Sequence, residues 1–138
     1  MKPINTVLNF MKVQSILNKK FDALSLHGLS LTDYMILHIL NDAEGGRLKR
    51  IDLAERIGLT ASGITRVIIP LEKIGLVAKE SSDRDARVSY VKLVASGKRV
   101  FEEANITANH ISEKLLESLD VEDLALFNKQ LKRLGGDL

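Results

Sequence analysis

A single glycine separates two short helical periods in the middle of this 138-residue chain, and no other feature restricts the fold so tightly. Arg50 to Ile57 and Ala61 to Ile74 both read as helices, and the break at Gly58 is too short for anything but a tight turn. Helices joined this closely must cross steeply. Ala54 stands where they approach most nearly, because a larger side chain would push them apart, and Gly58 permits the positive φ that a sharp turn demands. Ile57, Leu59, Ile64 and Val67 then point inward, leaving Ser62, Gly63, Thr65 and Arg66 on the outer face at the start of the second helix. From Leu53 to Ile68 this is the spacing of a helix-turn-helix. The outer face is small, polar and cationic, as a surface that approaches base edges and phosphates must be. Any αα-hairpin with a glycine turn is the alternative, and the matched apolar positions weigh against it.

Pro70 falls inside the second helix, where it removes the hydrogen bond to the Arg66 carbonyl at a cost of about 3 kcal/mol in an ideal interior. The pattern predicts a kink there, beyond the first two turns that carry the outer face. Leu76 to Ser81 and Arg87 to Leu93 follow as the strands of a β-hairpin, joined by the polar stretch Ser82 to Ala86. Arg84, Asp85 and Arg87 lie at or beside its tip, where a cation can reach a minor groove and an acid can fix its rotamer. A solvated charged turn is the competing interpretation.

The flanks are helical. Ile4 to Leu26 has no internal glycine or proline, and Val7, Phe10, Gln14, Leu17, Phe21 and Leu24 recur at steps of three and four. Ile4, Leu8 and Met11 add a second apolar stripe, more than one packing partner in a small domain requires. Gly28 ends this helix, Ser30 and Thr32 are caps for a buried helix from Thr32 to Asn41, and Asp42 to Gly46 reads as a loop. Ser96 is placed to cap a long helix to about Leu119, and Asp120 a last helix through Leu134.

The chain is the size of one domain with an extension, and 45% hydrophobic with 28% charged residues suits a globular protein with a real core. It contains 0 cysteines, so disulfides, thiolate nucleophiles and cysteine-ligated metals are excluded. No apolar run approaches the roughly 20 residues of a membrane span, and Met1 to Lys12 lacks a signal-peptide core, so an intracellular, cytoplasmic protein without membrane partners is expected. Charge is segregated: residues 47 to 99 hold 12 Lys+Arg against 6 Asp+Glu, whereas the rest hold 8 against 12. A basic middle between acidic flanks suits a phosphate-binding surface, and a solvated face gives the same count.

Catalytic chemistry has little to work with. His27, His38 and His110 lie on three different elements, without metal-ligand spacing, a Ser-His-Asp signature or a phosphate-cradling glycine loop. His38 and His110 could meet at a helix junction, but ordinary core or surface histidines are the better reading. No enzyme activity, metal or cofactor is expected.

The run DLAERIGLTASGITRVIIPLEKIGLVAKESSDRDARVSYVKL resembles the MarR family of bacterial winged-helix regulators, and the flanking helices match the family's layout over nearly the whole chain. Asp85, Ala86 and Arg87 are similar to its wing signature, Asp-x-Arg followed by a strand. The family usually has Thr at the position of Val94, where Ser96 is the substitute. The resemblance implies a mainly α protein with a small β-hairpin wing: an N-terminal dimerisation helix over 1–30, a winged helix-turn-helix domain over 31–95, and C-terminal dimerisation helices over 96–138. It implies a homodimeric, sequence-specific regulator of double-stranded DNA, a repressor that binds pseudo-palindromic operators through Ser62, Gly63, Thr65, Arg66, Arg84, Asp85 and Arg87. It also implies a small anionic aromatic effector, for which Met11, Met35 and His38 are candidate lining residues. A winged helix that binds protein, and a sequence-blind nucleoid protein, are the alternatives.

Overall fold

The computed structural model describes residues 2–138; Met1, the first residue of the expected N-terminal region, lies outside them. In chain order the elements are α1 (Pro3–Phe21), a 3₁₀ segment (Asp22–His27), α2 (Leu31–Asp42), a 3₁₀ turn (Glu44–Gly46), β1 (Arg47–Lys49), α3 (Arg50–Ile57), α4 (Ala61–Lys73), β2 (Val77–Ser81), β3 (Ser89–Leu93), α5 (Ala95–Leu115) and α6 (Val121–Arg133). The fold is mainly helical, with a small antiparallel wing.

α2 is the centre of the packing. Its residues Ile36, Leu37, Ile39 and Leu40 are all buried, and they meet Leu53 and Ala54 of α3, Ile64, Ile68 and Leu71 of α4, and Phe101, Ala104 and Ala108 of α5 in one cluster. Ser30, rather than Thr32, starts this helix through a capping box: the Asp33 amide donates to Ser30 Oγ at 3.0 Å and the Ser30 amide to Asp33 Oδ2 at 2.9 Å. α1 is shorter than its apolar period suggests. At Asp22 it tightens into the 3₁₀ segment, which carries Leu24 to complete burial, and Gly28 closes the segment at φ 74°.

The wing has three strands rather than two, in the order β1-β3-β2. β1 follows directly on the expected loop Asp42 to Gly46, and it pairs Arg47 with Lys92, Leu48 with Val91 and Lys49 with Tyr90. Only Leu48 of its three residues turns towards the core, and one out-in-out step is too short an alternation to announce a strand. Its partners announce it instead: Arg47 lies 4.5 Å over the Tyr90 ring and bonds Glu80.

α4 passes through Pro70 and continues to Lys73, with the Ile74 amide donating to the Pro70 carbonyl at 3.1 Å. Pro70 is on the exposed face, so the Arg66 carbonyl that loses its donor faces water, while Ile68 and Leu71 on either side stay buried.

Ser96 does not cap α5. The cap position is Val94, which makes no side-chain cap bond, and Ser96 Oγ instead donates to the Gly75 carbonyl at 2.6 Å. That bond ties the start of α5 to the end of α4. The reason for the difference is Gly97, buried one residue on, which brings α5 so near the chain that leaves α4 that an added Cβ would lie 1.9 Å from the Leu76 carbonyl oxygen. α5 ends at Leu115, earlier than its apolar period suggested, and Asp120 caps α6 through the Asp123 amide at 2.8 Å. α1 and α6 bury no residue within the chain among those described.

The Gly97 contact is with backbone and cannot be relieved by a side-chain rotation. Gly97→Ala is therefore expected to destabilise the fold by about 3 kcal/mol or more. Gly135→Ala, strained only by its positive φ at a frayed end, should cost at most about 1 kcal/mol in the same urea titration.

Candidate nucleic-acid interface

The turn between α3 and α4 is built by two devices. Gly58 takes φ 79° and lets its amide and that of Leu59 return to the last turn of α3, at 3.2 Å to the Glu55 carbonyl and 2.9 Å to that of Ala54. Thr60 then caps α4, its Oγ1 accepting from the Gly63 amide at 3.0 Å. Thr60 is not among the residues singled out from the sequence, although a Thr directly before the first residue of a helical period is itself the capping signal.

Gly63 lies beneath this cap, partly buried, and a Cβ there would come within 3.1 Å of Thr60 Oγ1. Ser62 is exposed, its hydroxyl 3.3 Å from that of Thr60. Thr65 Oγ1 donates to the Ala61 carbonyl at 2.9 Å, which commits its proton to the helix and leaves lone pairs and a methyl group for the outside. Arg66 is exposed and has no ion pair among the described residues. The outward stripe of α4 continues beyond it through exposed Ile69, Pro70 and Lys73.

The wing tip is ordered locally. Asp85 Oδ1 accepts from the Arg87 amide at 2.9 Å and from Arg87 Nε at 3.2 Å, while the Arg87 side chain is 92% exposed. The two bonds hold the Asp85 carboxyl below its ordinary 3.8, the backbone amide contributing more than the guanidinium. Arg84 is exposed beside it, its amide donating to Ser82 Oγ at 3.3 Å. A groove of about 520 Å³ runs between wing and helices, lined by Arg50, Ile51, Ala61, Thr65, Arg87 and Ser89 among others. Thr65 and Arg87 therefore share one concavity, with Ser62 and Arg66 on the adjoining face of α4 and Arg84 on the far side of the wing. Arg50 and Lys49 join its basic rim, which the run of charge in the sequence did not single out.

The effector candidates are dispersed. His38 lies tilted against an aromatic pair, 6.0 Å from the Tyr34 ring and 5.9 Å from Phe101, with Tyr34 and Phe101 stacked 5.5 Å apart. The Tyr34 hydroxyl donates to Asn105 Oδ1, and burial, assisted by the charge of Asp42, pushes its phenol above the ordinary value. His38 Nε2 stands 3.4 Å from Asp42 Oδ2, and its Nδ1 is buried without a hydrogen-bond partner among the described residues. Met35 is partly buried on the same helix and Met11 is exposed on α1. His110 is exposed on α5 beside Glu113 and Glu117, and no group of metal-ligating side chains forms among the described residues.

Residues 29–89 match the MarR family profile. FarR of Neisseria gonorrhoeae, an HTH-type transcriptional regulator, is 30% identical over 112 residues, covering 80% of this chain and 75% of that protein. The chain belongs to the MarR family. Its fold is shared by Sco3205 of Streptomyces coelicolor, a MarR-family regulator solved in complex with DNA (TM-score 0.86, 18% identity, 97% of this chain and 87% of that one). NadR, solved in complex with 4-hydroxyphenylacetate, also shares it (TM-score 0.80, 24% identity, 97% and 93%). The protein is thus a MarR-family transcriptional regulator, and among the described residues no single helix is long and apolar enough to cross a membrane.

The Asp85 contact carries a pH signature. A carboxyl depressed on folding contributes order above its unfolded value and loses it as pH falls through the folded one. The Arg87 amide resonance is accordingly expected to keep its bonded shift down to below pH 3.8 and to lose it at neutral pH in Asp85→Ala, which removes the accepting oxygen. A midpoint at or above the ordinary carboxylate value would contradict the bond.

Proposed function

We propose that this regulator is a homodimeric repressor that reads a pseudo-palindromic operator, with α4 in the major groove and the wing in the flanking minor groove. The observation that carries the reading is the outward alignment of Ser62, Thr65 and Arg66 on α4 with Arg87 across the same groove. In this reading Gly63 serves by keeping the first turn of α4 tight and narrow. Arg66 supplies a free guanidinium for guanine or phosphate, and Arg87, held by Asp85, enters the minor groove while Arg84 meets phosphate.

Dimerisation rests on α1 and α6. Both lack an internal core, yet α1 shows Ile4, Val7, Leu8, Phe10, Met11, Val13 and Ile16 at 38–60% exposure, and α6 shows Leu126 and Phe127. Isolated helices of this length are marginal in water, so a second copy covering residues 1–30 and 96–138 explains their apolar surface, with 31–95 left to bind DNA. Two-fold symmetry then spaces the half-site centres about 10 bp apart.

The effector reading places a small anionic aromatic compound beside His38, near Met35 and approached by Met11 of α1. The support is chemical: aromatic faces, the Tyr34 hydroxyl and an unpartnered buried nitrogen lie together between α2 and α5. NadR's bound compound is of that class. A ligand relieves repression only by binding the DNA-incompetent spacing of the dimer more tightly than the competent one.

Two measurements test the proposal. Duplexes selected from a random library should bind the wild-type dimer with log Kd rising steeply with log salt, and Arg66→Ala should weaken binding by about 1 to 3 kcal/mol and relax one position per half-site. A folded monomer in sedimentation, or unchanged selection by Arg66→Ala, would refute it. Separately, 4-hydroxyphenylacetate, used as a probe of the anionic aromatic class, should lower affinity for the selected duplex in the wild type and not in His38→Ala. If a panel of such acids leaves affinity unchanged, the effector reading fails and DNA recognition stands.

A further inference from the structure

The outward stripe of α4 does not end at Arg66. Ser62, Thr65, Arg66 and Ile69 fall at i, i+3, i+4 and i+7, and seven residues bring the helix back to within about 20° of its starting azimuth. Ile69 therefore stands under Ser62, about 10 Å further along the axis, on the face where Thr65 and Arg66 also project. It is 44% exposed, although Ile68 and Leu71 on either side are buried, so the core has no claim on it. Exposed Pro70 lies beside it, and together they form an apolar step in a face that is otherwise polar and cationic.

A bare isoleucine on a DNA-facing helix has one apolar counterpart in the major groove, the 5-methyl group of thymine. We propose that Ile69 is a specificity residue that reads thymine in each half-site. The inference rests on the placement of α4 in the major groove and adds a base preference to it. Distance favours it: the advance of about 4.5 Å from Arg66 to Ile69 along the helix corresponds to between one and two base-pair steps of about 3.4 Å. The thymine should therefore lie within about two base pairs of the position that Arg66 reads. The rigid ring of Pro70 supports the same contact. It fixes the backbone directly after Ile69 and presents no polar group that would have to be desolvated against the methyl.

The test uses the full-length protein and duplexes selected by it from a random double-stranded library. Selected half-sites should contain an invariant thymine within about two base pairs of the position relaxed by Arg66→Ala. Replacing that thymine by deoxyuridine, which removes only the methyl, should weaken wild-type binding about fourfold per half-site, the fold-change that burial of one methyl supports. Ile69→Ala should bind thymine and deoxyuridine duplexes equally and select sites degenerate at that position alone, with Ile69→Val retaining part of the preference. An equal deoxyuridine penalty in wild type and Ile69→Ala, or an unchanged selected site, would overturn the assignment and leave the Ile69–Pro70 step as a protein contact. If no duplex is enriched by the wild type, major-groove reading itself fails and this inference with it. If Arg66→Ala relaxes its position while Ile69→Ala relaxes none, only the inference fails.

Discussion

The corner at Gly75 and Leu76 is where the parts of this molecule are joined. The Leu76 amide returns to the Leu71 carbonyl at 3.0 Å to close α4, and its own carbonyl accepts from Val94 at 3.3 Å to fasten the end of the wing. The same carbonyl lies against Gly97 of α5, and Ser96 bonds the carbonyl of Gly75. Helix, sheet and the long C-terminal helix thus share two peptide units. Packing this close to backbone transmits position rather than absorbing it, because no side chain intervenes to hop between rotamers. The orientation of α4 is therefore set by α5, to within the play of two hydrogen bonds and one van der Waals contact.

α5 carries that constraint towards the rest of the protein. Gly97, Phe101, Ala104 and Ala108 are buried along one face, so the helix that meets Leu76 at its first turn meets Tyr34 and His38 of α2 at its second. On the proposed dimer, a compound wedged beside Phe101 presses on the same rod that holds α4. Its influence is bounded by the difference in its affinity for two positions of that rod. The small residues matter here, since Ala104 and Ala108 let α2 and α5 approach closely enough for rings to stack and leave little free volume to dissipate a shift.

Much of this architecture is legible in the sequence, and what is not has a physical cause. The helix-turn-helix was readable because Ala54, Gly58 and the inward residues are each dictated locally, by crossing distance, backbone φ and period. β1 was not readable, since a three-residue strand with two charged residues is defined by Tyr90 and Glu80, more than 30 positions away. Ser96 reads as a cap in one dimension, and only the approach of Gly97 to Leu76 turns its hydroxyl to another carbonyl. Pro70 looks disruptive until its exposure is known, because the loss of its amide matters only where the orphaned carbonyl is dry. At the interface the residue types were legible and their engagements were not: the sequence shows Thr65 but not that its proton is already committed to Ala61.

Those engagements divide the work among the cations. Arg47 and Lys92 both turn to Glu80, so part of the basic charge counted between residues 47 and 99 belongs to the sheet and is partly neutralised within it. Arg87 is different. Asp85 bonds its Nε at 3.2 Å and its Nη2 at 3.4 Å, which fixes the side edge of the guanidinium and leaves the Nη1/Nη2 end outward. That end is a permanently charged, weakly hydrated group suited to a narrow groove of negative potential. Arg66 has no ion pair among the described residues. On the DNA-binding reading, the wing meets the minor groove, whose donor and acceptor pattern barely distinguishes one base pair from its reverse, so base identity is the business of α4 and the wing reports groove width and charge. The pairing with Asp85 fixes where Arg87 points, and the groove it points into limits how much sequence it reads.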